Sequence, residues 1–243
     1  MKTILLLPLI IALPAFAGSS KEGVAPAQSS EPCLFTWFAG GSVGYLTEFE
    51  EPAYSLHVGT DTCWKPGGWN VAFFAEIGYT SKDEDWSGLR EQTVPTAQAT
   101  DGFELDPGGD FSLGDLEDLL STIAGNTPND TSYDLDIMPI TLNVKLERPL
   151  TGNLNAYFGG GLGVALVDLD VDVGAYGDFS DDDWVFVGQL FAGLDYNVTP
   201  SFEVYGGLRW IYFDDASFSD NGVGGTLKLD DDFLLELGCR YNF

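Results

Sequence analysis

The chain has 243 residues, 38 of them acidic and ten basic, for a net charge of −28. It lacks the basic footprint that nucleic-acid binding needs, and that class is excluded. Hydrophobic residues make up 44%, aromatics 14%, and there are 30 glycines, but no stretch after the first seventeen residues approaches the roughly 18 unbroken apolar residues of a membrane helix. An antiparallel β protein fits that composition, either soluble or crossing a membrane as a barrel.

Met1-Lys2-Thr3 is a basic start, Ile4 to Leu13 an apolar run broken by Pro8, and Ala15-Phe16-Ala17 an A-x-A cleavage site. Residues 1–17 therefore read as a secretory signal peptide. Residues 18–33 are small, polar and Pro-containing, which suits a flexible periplasmic tether. Residues 34–243 are expected to form one domain.

Eight strands are expected in that domain from period-two alternation between turn signals. They cover about Phe35–Leu46, Ala53–Asp61, Trp69–Thr80, Ser132–Glu147, Asn153–Val167, Trp184–Tyr196, Ser201–Phe213 and Asp232–Phe243. One face of each is apolar, as in Tyr54, Leu56 and Val58 or Ile140, Leu142 and Val144; the other carries polar residues and glycines. Connections after the second, fourth and sixth strands are short, and those after the third, fifth and seventh are long. The insert Ser81–Asp130 is acidic, and Ser112–Ile123 within it has the apolar spacing of a short helix. Of the 38 acidic residues, 30 fall in 47–52, 81–136, 168–183 and 214–232, which are the long-loop segments and upper strand ends. The short turns carry Lys65 and Arg148 instead. A soluble sandwich has no reason to polarise charge in this way.

Three motifs, Trp37-Phe-Ala-Gly-Gly-Ser-Val-Gly-Tyr45, Pro139 to Lys145 running into Ala156 to Ala165, and the terminal Tyr241-Asn-Phe243, carry a resemblance to a known group. In their order they resemble the small eight-stranded bacterial outer-membrane β-barrels, the OmpA-like, OmpX-like and OmpW-like porin-family proteins. The resemblance implies an all-β, antiparallel, up-and-down transmembrane barrel in the outer membrane, and the spacing over Ser112–Ile123 adds a short helix in a long outer loop. It also implies contact with outer-membrane lipids and with the barrel-insertion machinery. The insertion strand would present Phe233, Leu235, Leu237, Tyr241 and Phe243 to lipid. No OmpA-like periplasmic domain is expected after the barrel.

Four sets of residues stand out chemically. Parity turns Glu76, Lys145, Glu147, Asp195, Glu203, Arg209, Glu236 and Arg240 into the lumen, where charges must be paired. They form either a structural polar core or a narrow gated passage in which Arg209 or Arg240 changes carboxylate partner. Asp134, Asp136, Asp168, Asp170 and Asp172 continue the lipid-facing parity beyond the membrane. With Leu146 set opposite Leu154, Asp134 would lie near Leu166 and Asp168. Facing carboxylates destabilise a sheet unless neutralised, so this outer rim is a candidate site for divalent cations, calcium or magnesium, which Asp181-Asp-Asp183 could join. Cys33 and Cys63 both belong at the periplasmic end, where a disulfide can form; Cys239 faces lipid. His57, the single histidine, and nearby Ser55 turn inward, away from any lipid substrate, and no enzyme is expected. The expected role is structural or surface-interacting through acidic extracellular loops, with a partner or ligand at 81–130. The alternative is a narrow porin-like channel for ions or small hydrophobic molecules.

Overall fold

The structure, a computed structural model, describes residues 35–85, 110–126, 131–172, 178–220 and 223–243. The expected signal peptide, tether and Cys33 lie outside the described residues, as does most of the insert between 86 and 109. Eight long antiparallel strands close into a barrel. They are β1 (Thr36–Leu46), β2 (Pro52–Asp61), β3 (Asn70–Asp85), β5 (Ser132–Thr151), β6 (Leu154–Asp172), β7 (Asp178–Thr199), β8 (Phe202–Phe213) and β11 (Asp232–Asn242). Each pairs with its neighbour in the chain's barrel order, and β1 closes on β11 from Phe38↔Asn242 to Leu46↔Leu234. A second, three-stranded sheet is built from β4 (Asp110–Ser112), β9 (Ala216–Asp220) and β10 (Val223–Lys228), beside helix α1 (Leu113–Asn126).

Short turns join the strand pairs that the sequence assigned, and glycine backbones show why. Gly67 and Gly68 take φ of 60° and 84° between β2 and β3, and Gly152 takes φ of 51° between β5 and β6. Left-handed values of this kind favour glycine. The β5–β6 turn corrects one expectation. Pro149, Leu150 and Thr151 remain in the strand, so the chain reverses at Gly152–Asn153 and Leu146 faces Phe158, not Leu154. The rim register shifts with it. The strands are also longer than the alternation suggested, because β5, β6 and β7 run to 20, 19 and 22 residues. Segment 214–231, expected as loop, holds β9 and β10.

Outward side chains form an exposed apolar belt around the wall. It includes Val43 on β1, Leu56 on β2, Leu142 (72% exposed) on β5, Leu190 on β7 and Leu235 on β11. Tyr45, Tyr54, Tyr79, Trp184 and Tyr212 edge it on the long-loop side, and Trp37, Tyr196, Tyr241 and Phe243 on the short-turn side. From Trp184 to Leu194 on β7 it covers the ~10 residues a tilted strand needs to cross hydrocarbon. A belt of this extent is far beyond the apolar patches that water-soluble monomers tolerate. Hydrocarbon is therefore its solvent, and a closed barrel is the β-structure that can cross it with every backbone group paired.

Candidate functional site

The inside of the barrel has two tiers. Within the belt, all eight charged residues assigned to the lumen by parity point inward and are buried. They divide into two clusters. In the upper one, Arg209 pairs with Glu76, donates to Glu236 Oε2 at 2.9 Å, and donates to Gln189 Oε1 at 2.9 Å. Gln189 in turn donates to Asn143 Oδ1 at 2.6 Å and Thr141 Oγ1 at 3.1 Å. In the lower cluster, Lys145 Nζ lies 2.8 Å from Glu147, 3.5 Å from Glu203 and 3.7 Å from Asp195. Arg240 reaches Glu203 at 2.9 Å, and Glu147 and Asp61 at 3.5 Å each.

Aromatic rings separate the two clusters. Phe38, His57, Phe74, Phe191, Tyr157 and Tyr205 contact one another edge-on or tilted. All three cations lie over rings: Arg240 over Phe38 at 4.7 Å, Lys145 over Tyr157 at 5.2 Å and Arg209 over Phe191 at 5.4 Å. Glycines make the room. A Cβ on Gly238 would strike the Tyr205 ring, and one on Gly193 or Gly207 would lie 2.5 Å from the Tyr157 hydroxyl. The space left between the clusters is a cavity of about 40 Å³. That holds a few waters at most.

Above the belt the strand pattern inverts. Leu135 (0% exposed) and Ile137 on β5, Val167 and Leu169 on β6, Val185 and Val187 on β7, and Ile211 and Phe213 on β8 are buried inside and form an apolar core. Leu234 belongs to it too, which explains an apolar residue on the polar face of the last strand. Helix α1 and the small sheet close the core from above through Leu120, Ala216, Phe218 and Leu227. Tyr133 donates to Glu117 Oε1 of α1 at 2.7 Å, and Lys82 lies 3.1 Å from the same carboxylate. Asp232 ties down the β1–β2 loop by accepting from the backbone N–H groups of Thr47, Glu48 and Phe49 at 2.9–3.0 Å. Nothing in the alternation of β5 was missing from the sequence; its inward row simply turns apolar where its outward row turns acidic.

On the outside of this upper tier the corrected register aligns carboxylates across four strands. Asp83, Asp134 and Asp170 face one another in one row. Asp136, Asp168 and Asp182 form the next, and Asp172 faces Asp178. Asp182 thus joins the five rim residues, whereas Asp183 turns to accept from the Ser217 N–H of β9 at 2.8 Å. Partial burial and the neighbouring Asp136, Asp83 and Asp170 push the Asp134 carboxyl up. Asp168 is pushed up likewise, by partial burial and by Asp170, Asp182, Asp136 and Asp134. Tyr79 Oη donates to Asp136 at 2.8 Å. These acids form a face, not a point. Among the described residues, the carboxylates that come close enough to share an ion are Glu147, Asp195 and Glu203 in the lumen. Lys145 already sits within 3.7 Å of all three.

No family model matches the chain, and no curated protein does. Among solved structures, a major outer membrane protein from Thermus thermophilus matches 86% of this chain and 100% of its own, at 12% identity and a TM-score of 0.51. Neisserial surface protein A matches 88% of this chain and 100% of its own, at 13% identity and TM-score 0.46. PagL, an outer membrane enzyme, matches 84% and 97%, at 14% identity and TM-score 0.40. The chain has the fold of the small eight-stranded outer-membrane β-barrels. Fold and belt together place it in the bacterial outer membrane.

A fold alone does not decide catalysis, so catalysis must be judged at the residues. In this outer-membrane barrel Ser55 Oγ is 2.8 Å from Ser42 Oγ, inside the wall. His57 is buried among Phe38, Phe74 and Tyr205, and its Nδ1 has no hydrogen-bond partner. The two do not form a nucleophile and base. Cys63 is disulfide-bonded and Cys239 is a free, exposed thiol. Phe233, Leu235, Leu237, Tyr241 and Phe243 all stand on the exposed outer face of the last strand and its end.

Proposed function

We propose that the chain is a closed outer-membrane barrel that works at the cell surface, with no catalytic role. The observation that carries this reading is the filled interior. Two ion-paired clusters and an aromatic layer occupy the membrane tier, and an apolar core under a lid occupies the tier above. What projects outward is a rigid acidic wall on β3, β5, β6 and β7, joined to the insert around 81–130. Its partners would be cationic surfaces or ligands. Steady single-channel currents from the refolded chain in planar bilayers would overturn this; a silent bilayer is expected.

The second reading, a narrow channel, draws on the lumen's charge. Asp61, Glu76, Glu147, Asp195, Glu203 and Glu236 outnumber Arg209, Lys145 and Arg240. Water entering such a lumen would favour cations. A second role for the wall follows from its facing carboxylates: divalent cations, calcium or magnesium, would relieve their repulsion. The signal peptide over 1–17, the tether over 18–33, a Cys33–Cys63 bond and recognition of the terminal strand by the insertion machinery complete the proposal. Mass spectrometry of the non-reduced mature protein tests the cleavage site and the disulfide together.

A further inference from the structure

We infer that the lid and the barrel mouth enclose a binding site for a small amphipathic amine. A crevice of about 380 Å³ opens there, between the β1–β2 loop, the top of β3, the start of α1 and the β10–β11 link. That volume lies within the range of small-molecule sites, roughly 300–1,000 Å³. Leu46, Ile137 and Phe213 form its floor. Each belongs to the upper core, so the floor is fixed by packing rather than by a loop.

The polar groups around the floor are mostly committed. Lys82 is paired with Glu117 at 3.1 Å and Lys228 with Asp110 at 2.8 Å. Asp232 is saturated by backbone donors. Glu48 and Asp230 are different. Both line the mouth, and neither has an ion-pair partner among the described residues. Both side chains are exposed at the mouth, and their charge is backed by a chain of net charge −28, whose field concentrates cations there. A ring or short alkyl group on the floor, with an ammonium at the mouth beside Glu48 or Asp230, satisfies both surfaces at once. An anionic head would meet two uncompensated carboxylates. The crevice opens within the lid and the wall lies outside the barrel, so the site stands or falls separately from the surface role proposed above.

The test is isothermal titration of the full mature chain in lipid nanodiscs with tryptamine, with empty nanodiscs as the control. Saturable binding with Kd on the order of 10–100 μM is expected for a ligand of this size. Tryptophol, which keeps the ring and lacks the charge, should bind at least tenfold more weakly, and indole-3-acetate should not bind. Glu48→Gln with Asp230→Asn should raise the tryptamine Kd about tenfold. Neither position belongs to the packed core, so the barrel should still show heat-modifiable migration. Asp170→Asn with Asp172→Asn, on the outer wall, should leave the Kd within twofold. Absence of saturable binding overturns the site. So does tryptophol binding as tightly as tryptamine, or a wall variant that weakens binding as much as the mouth variant, since either would mean the diffuse field acts alone.

Discussion

Arg209 has two carboxylates and an amide as partners, all of them buried in the lumen. Truncation to alanine strands Glu76 and Glu236 there. Breaking a buried pair in this way costs about 3–5 kcal/mol. Urea unfolding of Arg209→Ala in lipid vesicles should show that loss, and adding Glu76→Gln and Glu236→Gln should recover a large part of it. The wall acids behave in the opposite sense. Partial burial and neighbouring carboxylates raise Asp134 and Asp168 in the folded state, so ionisation opposes folding there. Their contribution is fully favourable below the unfolded carboxylate value and is lost as pH rises through the folded one. Asp134→Asn should therefore stabilise the barrel at pH 7 by roughly 0.2–1 kcal/mol, the scale of one cross-strand pair. The gain should vanish in acid and shrink when calcium is added. Equal gains at pH 7 and at pH 3 would remove electrostatic repulsion as the cause.

The strands and the lid helix show what was legible in the sequence. Inward and outward parity could be read because a barrel this narrow is one side chain deep, so every residue is either lumen or lipid. The helix was legible from Leu113, Leu116, Leu119 and Leu120, and its start is fixed by a capping box: Asp115 N–H donates to Ser112 Oγ, and Ser112 N–H to Asp115 Oδ2 at 2.9 Å. Ser112→Ala should cost the helix about 1 kcal/mol, seen as faster amide exchange over 113–118 with the membrane strands unchanged. The hairpin register was not legible. Pro149 looks like a turn residue, yet β5 runs through it to Thr151, and the resulting slip hid how directly Asp134 faces Asp170 and Asp136 faces Asp168. The upper core was hidden by a different cause. Tyr133-Asp-Leu-Asp-Ile137 and Val167-Asp-Leu-Asp-Val171 keep the strand period and reverse its hydrophobic phase, so a single apolar-outside template takes their acids for a rim and leaves their inward residues without a role. Leu169→Ala, with no lipid contact to lose, should cost about 2–5 kcal/mol, as in a soluble core.

At the scale of the molecule, one wall serves two solvents. Below Met138 and Leu166 the strands face hydrocarbon outside and ion pairs inside; above them they face water outside and a hydrophobic core inside. The wall continues above Trp184 on β7 for about 20 Å along the strand, which makes the acidic surface part of the barrel itself and not a loop. Whether the acidic wall stands in water depends on where that reversal sits relative to the bilayer. Nitroxide labels placed singly at outward positions 134, 136, 138, 140 and 142 of β5, in vesicles, measure it directly through their accessibility to oxygen and to a water-soluble nickel complex. Labels at 134 and 136 should be reached by nickel, and those at 138, 140 and 142 by oxygen, with the crossing between 136 and 138. A crossing below 140, or oxygen-dominated labels at 134 and 136, would contradict the two-tier barrel.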